Sequence, residues 1–150
     1  MTDTQTAAQL GAYKKVDVET TSQGKLVVLL FNGAIQRSEE AKRHLAGGSI
    51  DNAHNNLIRA QEILSELRGA LDMKAGAIAQ NLDRIYEYLQ HLLITANMQK
   101  NAEPIDECVG HLTTLRDTWK EAFDKAASAG PLATSPLINQ HGASLMNIKG

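Results

Sequence analysis

The stretch KLVVLLFNGAI, Lys25 to Ile35, sets six apolar residues in a row, Leu26 to Phe31, then stops at Asn32-Gly33 before the polar QRSEEAKRH. Six consecutive residues of an α-helix go round its whole circumference. A surface helix needs one apolar stripe, so an all-round apolar turn calls for cover on more than one side. Val27, Phe31, Ala34, Ser38, Ala41 and Leu45 continue from this turn in alternating steps of four and three. Thr21 and Ser22 can cap the start of this helix, and Gly47-Gly48 ends it.

Working outward, the same spacing recurs. Ser49 or Asp51 opens a second helix with the seam Ala53, Leu57, Ala60, Leu64, Leu67 and Leu71, and Asp72 falls in the connection or at the next cap. A third starts near Gly76 with Ile78, Leu82, Ile85, Leu89, Leu92 and Ala96, and carries a second stripe, Ala79, Tyr86 and Leu93. Glu103-Pro104 sets a proline at a first helical position, where its missing donor is harmless. A fourth helix then runs through Ile105, Cys108, Leu112, Leu115, Trp119 and Ala122, with Val109 and Phe123 beside them. Four such seams with short connections predict an all-α protein, an antiparallel four-helix bundle over residues 21–126. Residues 1–20 read as a flexible N-terminal arm. Residues 127–150, ASAGPLATSPLINQHGASLMNIKG, read as a flexible C-terminal tail, made stickier than a spacer by Leu137, Ile138, Leu145, Met146 and Ile148.

The totals agree. A chain of 150 residues suits one domain, and with aromatics at 4% the core must be mostly Leu, Ile, Val and Ala, which suits helices. A net charge of −2 gives no reason to attract nucleic acid or an anionic membrane. The longest apolar run is far too short to insert in a membrane. The single cysteine, Cys108, and the lack of a signal-like N-terminus lead us to expect a cytoplasmic protein.

Chemistry is thin. Glu40/His44, Glu87/His91 and Glu107/His111 are spaced by four on helices. A di-iron bundle wants Glu-x-x-His, spaced by three, with further inward glutamates. These pairs lie mainly off the seams and suit solvent-facing intrahelical contacts. Neither His54 nor His91 has the lysine and small neighbour that a phosphotransfer histidine needs. Cys108 falls on a seam and behaves as a small hydrophobe. No set of nucleophile, base and oxyanion donor emerges, so the reading is a non-enzyme without cofactor or metal.

Leu26, Val28 and Leu30, with Ile58 and Ile63, widen the apolar faces beyond one seam. Either they pack within the monomer or they form a groove for another apolar helix. A self-associating adaptor using the same surface for a homodimer, and a metal-binding bundle using the Glu/His pairs, are the alternatives.

The residues also resemble a known family. AYKKVDVETTSQGKLVVLLFNGAIQRSEEAKRHL resembles the opening of the flagellar secretion chaperone FliS family, with a Tyr ahead of a Val-x-Thr element and a helix of the type K-L-I-x-x-L-Y-D-G-A-I. NNLIRAQEILSELRGALD is similar to its second helix, GAIAQNLDRIYEYLQHLLITANMQKN to its third, and LTTLRDTWKEAF to its L-R-x-x-W-x-E ending. The likeness covers roughly residues 13–123 in order. Phe31-Asn32 stands where Tyr-Asp is usual, and Gln23-Gly24 where Ser-Pro is common.

The resemblance implies a chaperone of flagellar type III export that binds the C-terminal helical region of flagellin. It would prevent premature polymerisation and present its cargo to the export gate, with other flagellar regulators as further partners. It implies a partner surface formed by Tyr13 and Val16 in the N-terminal element, by Leu26, Leu30, Ile58, Ile63, Leu82, Tyr86, Leu89 and Leu93 in an apolar groove, and by Asn97 as a hydrogen-bonding group. Leu57, Leu64, Leu67, Ile85, Leu92, Leu112 and Leu115 are expected in the core, with Trp119 anchoring its end.

Overall fold

The computed structural model describes the backbone of residues 12–129 and the side chains of residues 23–126; the rest of the expected arm and tail, and the side chains of Tyr13 and Val16, lie outside the described residues. Four helices follow one another: α1 (Ala12–Ala46), α2 (Ile50–Gly69), α3 (Ala77–Gln99) and α4 (Glu103–Ala129). A 3-10 turn, Met73–Ala75, joins α2 to α3. Helix α1 packs against α2 and α4, and α3 packs against the same two, which gives the antiparallel bundle expected from the four seams.

The first helix starts earlier than its hydroxyl pair suggested. It is already helical at Ala12 and runs through Thr21-Ser22 without a break. No proline stands at positions 23–24 to remove a donor or to restrict the preceding residue. The far end is as expected: Gly48 takes φ +78°, and the Ser49 amide bonds back to the His44 carbonyl at 2.8 Å. Ser49 opens α2, and Asp72 caps the 3-10 turn by accepting from the Lys74 amide at 3.1 Å. Pro104 is the second residue of α4, still within the turn whose amide groups have no carbonyl partner in the helix.

All six seam residues of α2 are buried, as are Val27, Phe31, Ala34, Ser38 and Ala41 of α1. On α4, Ile105, Cys108, Leu112 and Trp119 are buried, with Leu115, Val109 and Phe123 packed partly against them. Helix α3 departs from expectation. Its core face is Ala79, Leu82, Tyr86, Leu89, Leu92, Leu93 and Ala96, whereas Ile78 and Ile85 are 57% and 38% exposed. Ile85 is therefore not a core residue. The two apolar stripes of α3 lie one residue, or about 100°, apart; the core takes residues of both, and at the start of the helix the larger ring decides which side turns inward. Tyr86 is buried against Phe31 of the diagonal helix, ring centroids 6.2 Å apart, which turns Ile78 and Ile85 to the flank.

Candidate partner-binding surface

The four outer seams of the bundle differ in chemistry. Across α2 and α3 runs a polar clasp. Arg68 donates from Nε and Nη2 to the two carboxylate oxygens of Asp83, at 2.8 and 3.0 Å, and from Nη1 to Gln90 at 3.1 Å. Gln90 in turn donates to the Ser65 hydroxyl and to the Gln61 carbonyl. The hydrogen bond from Arg68 holds the Asp83 carboxyl below the usual carboxylate range, against the effect of partial burial. Further along, Asn97 meets His54 at 2.9 Å and accepts from Lys100 at 2.6 Å. This register carries the exposed Ile58 to the level of the exposed Ile94 on the same seam.

The seam between α1 and α4 is also tied. Lys42 donates to Asp106 at 2.6 Å, Arg116 to Asn32 at 3.0 Å, and the Phe123 ring closes over Gly24. Phe123 stacks on Trp119, centroids 5.3 Å apart.

Between α3 and α4 the polar ties gather at one place. The Tyr88 hydroxyl donates to the Glu107 carboxylate at 2.5 Å, and His111 lies 3.4 Å from the same oxygen. That hydrogen bond pushes the Tyr88 hydroxyl up and, with His111 adding to it, pulls the Glu107 carboxyl down. Ile78 and Ile85 flank this seam towards the start of α3. Beneath it Cys108 is buried, and the loss of water pushes its thiol up to about 12. It has the setting of a core side chain and not of a nucleophile.

Of the surface expected from sequence, Leu26 is 37% exposed, Ile58 is on the surface, and Leu30 and Leu82 are half-buried against the core. Ile63, Tyr86, Leu89 and Leu93 are buried in the core. They shape the surface only through what they support. Asn97 spends its hydrogen bonds within the chain. Leu29, at 64% exposure, and Tyr88, Ile94 and Met98 of α3 are exposed apolar residues that the seams did not name, and Ile78 and Ile85, expected on the third seam, are exposed with them. For Leu29, Tyr88, Ile94 and Met98 the signal was present: each is an apolar residue one or two positions off a seam. The all-round apolar turn Leu26–Phe31 divides between core and surface. Val27 and Phe31 are in the core, while Leu26 and Leu29 face outward.

Among the described residues no three His, Cys, Asp or Glu side chains are grouped as a metal ion would require. Nor, among them, is any helix long and apolar enough to cross a membrane.

This helical surface has known counterparts. Residues 5–126 match the family described as flagellar protein FliS. This chain belongs to the FliS family. Similar proteins include the flagellar secretion chaperone FliS of Salmonella typhimurium, 33% identical over 81% of this chain and 95% of that one. The FliS chaperones of Vibrio cholerae, 31% identical over 75% and 86% of the two chains, and of Bacillus subtilis, 29% identical over 75% and 84%, are also similar. FliS membership supports a role as a flagellar export chaperone.

Proposed function

We propose that this chain is a cytoplasmic, non-enzymatic chaperone that binds the C-terminal helical segment of flagellin. In this reading it keeps the segment from polymerising early and hands it to the flagellar type III export gate. The observation that carries the reading is the double apolar character of α3. One face fills the core, and a second stripe, Ile78 and Ile85 with Tyr88, stays at the surface towards α4, while Ile94 is exposed on the opposite flank, towards α2. An amphipathic helix laid along α3 would bury that stripe, and Leu26 and Leu29 offer a second patch on α1. A segment that orders on binding loses entropy then, so contacts spread over several faces suit the task.

The test is calorimetric titration of the C-terminal helical segment of the host's flagellin into the full chain. Binding near one-to-one with a negative heat-capacity change supports the reading. No heat at any temperature from a folded sample, together with concentration-dependent size, moves the surface to self-association.

A further inference from the structure

We propose that Arg84 selects the partner of the α3 face: the amphipathic helix that covers Ile78, Ile85 and Tyr88 carries a carboxylate beside its apolar seam, and the Arg84 guanidinium donates to it. That a helix covers this face follows from the flagellin reading; that its flank is acidic follows from the setting of Arg84.

The arginines of the described residues divide by what holds them. Arg43, Arg59, Arg68 and Arg116 each pair with a carboxylate. Arg37 ties α1 to α2 through Asn56, at 3.2 Å. Arg84 does neither. Among the described residues its one hydrogen bond runs from Nη1 to Asn81 of its own helix, at 3.1 Å, and no carboxylate pairs with it. Acids stand close by but are engaged elsewhere. Asp83 is held by Arg68 across the seam with α2, and the charge of Glu87 acts on Arg68 as well. Across the other seam, Glu107 accepts from Tyr88 and lies beside His111. A guanidinium has five N–H donors in a planar fork that matches a carboxylate, so Arg84 has donors left for one.

The fork lies at the apolar stripe. Asn81 stands one turn after Ile78 and one turn before Ile85, on their face. Its bond draws the Arg84 side chain back along α3 towards the helix start, beside the stripe and between the two isoleucines, with Tyr88 one turn beyond. All five residues are exposed. A helix packed on the stripe runs about 8–10 Å from α3, close enough for an Asp or Glu on its flank to meet the fork in two parallel hydrogen bonds. An amide in the same place offers one uncharged acceptor, and a lysine brings a second positive charge.

The test is calorimetric and uses the full chain, as parent and as Arg84→Gln, Arg84→Lys and Arg43→Gln. The last removes the same charge from a paired site on α1. The probes are the C-terminal helical segment of the host's flagellin and three synthetic amphipathic helices, alike except for Glu, Gln or Lys flanking the apolar seam. We expect the Glu helix to bind the parent about tenfold more tightly than the Gln helix, as for hydrogen bonds to a charged group, and the Lys helix to bind more weakly still. Arg84→Gln should erase that order and weaken the flagellin segment by a similar factor. Arg84→Lys should keep only part of the preference, having the charge without the fork, and Arg43→Gln should keep all of it. Melting temperatures should stay near the parent's, since Arg84 ties no helix to another. Equal affinity of the Glu and Gln helices for the parent, or a preference that survives Arg84→Gln, overturns the selection. If the Glu helix binds and the flagellin segment does not, the flagellin reading falls and the selection stands. If the flagellin segment binds parent and Arg84→Gln equally, the reading stands and the selection falls. Silence of every probe overturns both.

Discussion

The ring of Phe123 lies so close over Gly24 that a Cβ built on the glycine would come within 2.6 Å of it. A helical glycine ordinarily weakens its helix by up to about 1 kcal/mol relative to alanine. Here it lets α4 dock on α1, with Phe123 stacked on the buried Trp119 and little freedom to move. Gly24→Ala should therefore destabilise, by about 1–2 kcal/mol, because overpacking exceeds the propensity gain. Gly110 of α4 has nothing within contact distance of such a Cβ. Gly110→Ala should stabilise by up to about 1 kcal/mol. Urea midpoints of the two variants, moving in opposite directions, check the pair.

The clasp between α2 and α3 has a pH signature. The Asp83 carboxyl is held below its ordinary 3.8, first by the Arg68 hydrogen bond. A depressed carboxylate contributes stability that is complete above the unfolded value and is lost as pH falls through the folded one. Asp83→Asn should cost about 1 kcal/mol near neutrality, as expected of a bidentate, half-buried pair. The gap between variant and parent should close progressively as the pH falls below 3.8 and through the lowered folded value. A gap that stays constant with pH would assign the loss to packing instead.

The exposure of Ile85 against the burial of Leu89, one turn further along α3, separates partner surface from core. Leu89→Ala should cost about 2–5 kcal/mol of stability. Ile85→Asp should leave thermal stability within about 0.5 kcal/mol, as for surface substitutions, while weakening flagellin-segment binding several-fold. Loss of stability in Ile85→Asp, with binding intact once folded, would return the residue to the core.

These contrasts show where sequence was sufficient. Helix α2 has one unbroken seam, and all six of its residues are buried, because a single stripe leaves no choice of rotation. Helix α3 offers two adjacent stripes and buries residues of both, and the contact of Tyr86 with Phe31 turns Ile78 and Ile85 of the first stripe outward. That contact joins helices separated in the chain by α2, so no local spacing reveals it. The same holds for Arg68 with Asp83 and Gln90. Each is an ordinary polar residue until the cross-helix register is known. The expected groove differs for the same reason: Tyr86, Leu89 and Leu93 lie in the core, whereas Ile78, Tyr88 and Ile94 hold exposed positions.

Ser38 is the one polar residue among the buried seam positions, and its hydroxyl has no hydrogen-bond partner. It sits on α1 between Ala34 and Ala41, and all three are fully buried. A buried hydroxyl without a partner keeps its desolvation penalty of about 1–3 kcal/mol uncompensated. Ser38→Ala removes the oxygen and leaves a gap smaller than a methyl group, so it should raise stability by about 1 kcal/mol. Ser38→Val adds bulk at this fully buried position and should destabilise by about 1–3 kcal/mol. Thermal melts of the two variants distinguish an unsatisfied polar atom from a hydroxyl that holds a buried water. In the latter case Ser38→Ala would lower the melting temperature, because the water would lose its partner.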